Sequence, residues 1–181
     1  MSDIPQLEIR KKIYALLSKN PGLNLSTIAE ILHISVQLAD YHLHHMQDKG
    51  PVVVSKEEGY KRYYIKGKLG SEDRKILSLL YQDIPLAIVL LLLKKPYSKP
   101  RDIRKEIDIS SALLTYYLKK LVRHNLITVV CSSSEKNQYI VTNKDHILNL
   151  LAQYKPNLLV KRFKDTWVSD FPLSSKKSDK Q

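Results

Sequence analysis

Residues 111 to 123 of this 181-residue chain bring two kinds of chemical group together at helical spacing. Ser111, Ala112, Thr115 and Tyr116 come first, and Lys119, Lys120 and Arg123 follow. Short hydroxyl side chains can donate to or accept from base edges, a tyrosine can reach a phosphate or a thymine methyl, and the cations suit phosphates. Arg101, with Lys99, Arg104 and Lys105, adds charge upstream, and Lys136 adds one downstream. A second collection lies 75 residues earlier: Gln37, Tyr41 and His44, with Lys56, Lys61 and Arg62 beyond them. Gln37 can pair bidentately with adenine, whereas the neighbouring Asp40 could accept from cytosine but repels phosphate.

Other chemistry is poorly supplied. His42, His44 and His45 have ligand spacing on a helix, but one helix offers too few ligands and no cysteine is near, so no metal is expected. No Gly-rich phosphate loop, nucleophile elbow or HExxH motif occurs, which argues against an enzyme and against a bound cofactor. The single cysteine, Cys131, cannot form an internal disulfide and reads as a small buried apolar residue on a strand. The N-terminus lacks the apolar core of a signal peptide. The longest apolar run, Ile84 to Leu93, is interrupted by Pro85 and is too short for a membrane span, which needs ~20 residues. A cytoplasmic protein with no membrane partner is expected. Its net charge of +12 is spread along the chain, and a pI near 9.6 suits a polyanionic partner, of which nucleic acid is the usual one.

Both collections sit at the same place in an internal repeat. Residues Ile9 to Ile65 align on Ile84 to Ile140 without a gap and share 16 identities in 57 positions, most of them apolar or punctuating. Two copies of this length indicate two duplicated domains, not a stacked array. In the first copy, Leu7, Ile9, Ile13, Leu16 and Leu17 predict a helix over Gln6 to Lys19, stopped by Asn20-Pro21-Gly22. Asn24 is placed to cap a helix over Leu25 to Leu32, and Ser35 to cap a third over Val36 to Lys49, with Ala39, Leu43 and Met46 facing inward. Val52 to Ser55, a polar tip from Lys56 to Arg62 and Tyr63 to Ile65 predict a hairpin.

The second copy predicts helices over Ile84 to Lys95, Pro100 to Ile107 and Ser111 to His124, then a hairpin of Ile127 to Cys131 and Gln138 to Val141. Its first helix is apolar all round and must be covered on every side, by a linking helix over Glu72 to Tyr81 and by C-terminal helices. The order is that of a winged helix. The expected class is α+β, mostly helical, with two winged helix-turn-helix domains in tandem. Boundaries fall at 1–68 and 84–142, joined by 69–83 and followed by a helical segment, 143–172, and a disordered tail, 173–181. Apolar helices over Lys144 to Tyr154 and Asn157 to Val168 lie outside both units, which suggests that they form a homodimer.

In such a domain the third helix lies in the major groove while the wing touches phosphates, which gives both collections their candidate role on double-stranded DNA. Each tyrosine, Tyr41 and Tyr116, could instead pack on its wing, and Leu38 and Leu113 could be core or interface. The runs HISVQLADYHLHHMQDKGPVVV and DISSALLTYYLKKLVRHNLITVV resemble ArsR-like winged-helix transcriptional regulators. Two such domains followed by Tyr154-Lys155-Pro156 look like archaeal tandem regulators. The resemblance implies a DNA-binding transcription regulator. It departs from the metal-sensing members, whose ligands are missing. Tyr117 also stands where histidine is usual and Asn125 where glycine is, although asparagine tolerates the left-handed turn. Two other readings stay open: a protein-interaction module of the transcription apparatus, and RNA binding through Tyr60, Tyr63 and Tyr64.

Overall fold

The computed structural model describes residues 3–57, 59–132 and 135–154, and within them the side chains other than those of 3–5, 57, 132, 135 and 136. The expected helix over 157–168, the Tyr-Lys-Pro break and the tail lie outside the described residues, as does the side chain of Lys136. The first unit consists of α1 (Asp3–Lys19), α2 (Leu25–Leu32), α3 (Val36–Asp48), β1 (Val52–Glu57) and β2 (Tyr60–Ile65). After α4 (Ser71–Leu80), the second unit repeats the order as α5 (Asp83–Lys94), α6 (Pro100–Ile107), α7 (Ser111–Arg123), β3 (Ile127–Ser132) and β4 (Glu135–Val141). The last described helix is α8 (Lys144–Gln153). This is the expected tandem winged-helix architecture.

Local chemistry sets the helix ends. Asn24 accepts from the backbone N–H of Thr27 at 2.8 Å, and Ser35 and Ser110 accept from Leu38 and Leu113 at 3.2 Å each. Each satisfies a donor that the first helical turn leaves without a partner. Pro100 opens α6 in its first turn, where a missing N–H costs nothing. The left-handed positions recur at the offset of 75. His33 and Asp108 close α2 and α6 (φ 53° and 54°), and Gly50 and Asn125 follow α3 and α7 (φ 89° and 55°). At the third pair the residue types diverge: Gly22 (φ 85°) corresponds to Tyr97 (φ 62°), a conformation that a bulky side chain adopts only against strain.

The hairpins differ by one residue. β1 and β2 pair from Val52↔Ile65 to Glu57↔Tyr60, whereas β3 and β4 pair from Ile127↔Val141 to Val130↔Gln138 and then Ser132↔Glu135. Cys131 therefore faces two residues of β4, a β-bulge. The gapless alignment fails beyond it. The short bridge Leu23↔Tyr63 corresponds to Ser98↔Tyr139, so Tyr139 matches Tyr63 and not Tyr64. Strands also run further into the tip than expected, placing Lys56, Lys61 and Arg62 within the ladder. Cys131 is exposed at the bulge, its Sγ 3.4 Å from Asn137 Oδ1, and is not the buried residue expected.

Each unit has its own core. Ile13, Leu17, Ile28, Leu43, Met46 and Val52 centre the first, while Leu7 of α1 is half exposed. The second is larger because α5 is apolar on all sides and is covered as expected: Leu79 and Leu80 of α4 and Ile147 and Leu151 of α8 join its cluster. Leu150 and Tyr154 pack with Leu77 in a third cluster. The apolar face of α8 is thus buried within its own chain. Among the described residues no single helix is long and apolar enough to cross a membrane, and α4 and α5 are bent by 99° from one another.

The first wing is tied to α4. Tyr64 donates its hydroxyl to the Arg74 carbonyl at 3.4 Å, and the Arg74 guanidinium lies 5.7 Å from the Tyr64 ring centre. Arg62 donates to the Gly22 carbonyl at 2.9 Å and stacks 5.6 Å over the Tyr81 ring. A further link joins α8 to α4, where His146 Nε2 lies 2.8 Å from Asp73 Oδ1.

Candidate nucleic-acid interface

The inward side of α7 is fixed by Leu114, Leu118 and Leu121, all buried. At 3.6 residues per turn, that stripe leaves Ser111, Ala112, Thr115, Tyr116, Lys119 and Arg123 exposed on the other side. Six of the seven α7 candidates therefore share one surface. Thr115 donates its hydroxyl to the Ser111 carbonyl at 2.8 Å, so its free capacity is two acceptor lone pairs and a methyl. Tyr116 is 56% exposed and Tyr41 54%, so neither is spent on its wing. Each instead meets the ring of the next residue edge-on at 5.1 Å, His42 in α3 and Tyr117 in α7.

Lys120 departs from expectation. It is buried, with its ammonium 5.6 and 5.8 Å from the ring centres of Tyr116 and Tyr117 and 3.4 Å from Gln82 Oε1. A cation held this way orients two tyrosines and does not offer itself to a phosphate. Arg62 is the second correction, being buried by its bond to Gly22 and its stacking on Tyr81. The wing tyrosines are the third: Tyr63 and Tyr64 are buried and only Tyr60 is exposed, so a stacking platform of three rings does not exist.

Elsewhere the candidates are accessible. Arg101 is exposed at the start of α6, in an open groove of about 600 Å³ shared with Lys99, Pro100 and Asn137. Gln37 and His44 are exposed on α3, with His44 Nε2 3.7 Å from Asp40 Oδ1. Lys56 and Lys61 are both exposed and directly opposite one another in the β1–β2 ladder. Like charges in that register repel, and an anion between them relieves the repulsion. Sequence reasoning missed this pairing because it assigned both lysines to a loop; counting equal arms about a two-residue turn at Glu58-Gly59 would have found it. Tyr97 was missed as well. Its signal is its alignment on Gly22, the residue type that a left-handed turn favours.

Three tyrosine hydroxyls around these surfaces are shifted. Burial pushes Tyr63 and Tyr139 up, reinforced by Asp40 and Cys131 respectively. Tyr81 is pushed up further by burial, against the opposing pull of Arg62. All three are neutral donors at any physiological pH. Lys95 forms an ion pair with Glu106 that holds the carboxyl below its usual range, which ties the end of α5 to α6. Among the described residues no group of three or more His, Cys, Asp or Glu side chains could hold a metal ion.

A family model described as winged helix-turn-helix DNA-binding matches residues 6–52 and again 82–128, together just over half of the chain. No curated protein sequence matches it. Among solved structures it is similar to the mRNA-binding domain of elongation factor SelB from E. coli in complex with SECIS RNA. That pair has 16% identity and a TM-score of 0.29, and the match covers 79% of this chain and 100% of that one. It is also similar to the endosomal complex ESCRT-II, with 12% identity and a TM-score of 0.33, over 79% of this chain and 63% of that one. For ScpB from Mycobacterium tuberculosis the values are 14% and 0.29, over 80% and 96%.

Proposed function

The chain belongs to the winged helix-turn-helix DNA-binding family, and on that premise we propose that it is a transcription regulator that reads double-stranded DNA chiefly through α7. The observation that carries this reading is the shared exposed face of Ser111, Ala112, Thr115, Tyr116, Lys119 and Arg123. In the major groove the first four would meet base edges and thymine methyls, and the last two the flanking phosphates. Arg101 at the start of α6 would hold a phosphate on one side, and the Lys56–Lys61 pair would grip the backbone through the first wing. Within the family, the runs around Tyr41 and Tyr116 support an ArsR-like regulator of the archaeal tandem type.

The test is selection of preferred sites from a random duplex pool by the full chain at physiological salt, with competition by duplex and by RNA of equal length. A recovered motif that duplex displaces at least tenfold better than RNA is the expected result. Recovery of no motif, or equal displacement by RNA, overturns the reading.

A further inference from the structure

The α2–α3 surface of the first unit stands where the reading surface of the second unit does, yet it is built for a different contact. From Leu25 to Asp48 there is no lysine or arginine, and the charged groups are Glu30, Asp40 and Asp48. The matching stretch, Pro100 to Arg123, has six lysines and arginines against three carboxylates. Formal charge is therefore −3 in one and +3 in the other, on the same backbone order with the same serine cap on α3 and α7. A DNA phosphate approaching within one Debye length, about 8 Å at physiological salt, meets repulsion on the first and attraction on the second.

At two other outward positions an apolar side chain stands where the second unit has a polar one, Ile31 for Glu106 and Val36 for Ser111. They are exposed by 37% and 46%, and they add to Leu38 and Tyr41, which are exposed like their counterparts Leu113 and Tyr116. An exposed tyrosine and aliphatic side chains with carboxylates among them have the composition of a protein interface, with an apolar centre and a polar rim. We propose that the α2–α3 surface of the first unit docks a protein that presents a basic amphipathic helix, its apolar side on Val36, Leu38 and Tyr41 and its cations on Glu30 and Asp48. Charge complementarity selects this occupant, since an acidic helix would face three carboxylates. The same complementarity gives the two units different roles. One surface holds DNA while the other recruits a basic partner, so both can be occupied at once.

The experiment uses the full chain labelled for backbone NMR and titrated with a synthetic 18-residue helical peptide that alternates lysine and leucine at amphipathic spacing. Shifts confined to α2 and α3 are expected, with affinity at least tenfold weaker in Val36→Ser and in Glu30→Lys with Asp48→Lys. Both variants alter exposed positions, and a retained native spectrum confirms folding before titration. Binding of the selected duplex should change less than threefold in either. Peptide shifts on α6–α7, or no saturable shifts, overturn the proposal. So does a loss of duplex binding in Val36→Ser, because the surface would then belong to nucleic acid. Failure of duplex binding in the unaltered chain would count against the DNA reading alone, since the peptide titration does not depend on it.

Discussion

Where α7 carries Lys119 and Arg123, α3 carries His44 and Asp48 at the equivalent turns. Where α6 carries Arg101, Arg104 and Lys105, α2 carries Ser26, Ala29 and Glu30. Beneath these surfaces little has changed. Ile28 and Ile103 are both fully buried, Leu43 and Leu118 hold the same inward position, and the serine caps bond at the same length. The contrast shows what the fold itself needs: the serine caps of α3 and α7, the left-handed turns and the inward apolar positions are shared, while the charged outward positions diverge. Conversely, a cation on the outward side of α7 is informative, because the other copy folds without one.

The sharpest way to break this contrast is to reverse charge on one copy only. Lys119→Glu with Arg123→Glu should weaken duplex binding on the order of 100-fold at 0.1 M salt and flatten the slope of log K against log salt by about 2. Fluorescence anisotropy across a salt series measures both, and an unchanged slope would remove α7 from the interface. Next in size is Arg62→Ala. The loss of a buried charge-assisted bond and of stacking on Tyr81 should cost about 2 kcal/mol of stability in urea unfolding while duplex affinity moves less than threefold. A larger drop in affinity than in stability would return Arg62 to the phosphate contacts. Lys120→Met should behave similarly, since the ammonium is turned towards Gln82.

A reciprocal pair probes the one turn where the copies use opposite residue types. Tyr97→Gly should raise stability by about 1 kcal/mol by relieving a left-handed tyrosine. Gly22→Ala should lower it by at least that much, because the added Cβ would lie 3.1 Å from the Tyr64 ring at a positive φ. Thermal unfolding gives both signs, and equal signs would mean that the turns are not equivalent. The smallest effect concerns His42, fully buried, with neither ring nitrogen hydrogen-bonded among the described residues. Burial, then Arg10 and His45, lower its pKa below 6.5, so the unfolded chain binds the proton first. Its contribution to stability is complete above about pH 6.5 and is lost as pH falls through the folded value, a drop in Tm of a few degrees. His42→Tyr, which installs the residue of the second copy, should remove that slope.

Much of the fold was legible because it depends on near neighbours. Pro100 and Asn24 marked helix starts, and α2 and α6 ended where expected. What escaped depends on partners far along the chain. Arg62 is buried through Gly22 and Tyr81, 40 and 19 residues away, and Lys120 through Gln82, 38 residues away. Outward spacing on a strand or helix cannot reveal that another element already covers the site. For the same reason α8 read as a helix without a partner, whereas the surface that covers it is α4 and α5 of its own chain. Of the candidate interface, the exposed face of α7 was readable by periodicity, whereas the Lys56–Lys61 pairing required the register.

The bulge at Cys131 bears on how two copies can drift apart. An extra residue in a regular ladder would slip the rest of β4 by one place and turn every later side chain to the opposite side. Here two residues opposite Cys131 absorb it, and pairing resumes at Val130↔Gln138. The length of the repeat can therefore change by one residue without scrambling the core, because beyond the bulge the two copies correspond at an offset of 76, Tyr63 with Tyr139.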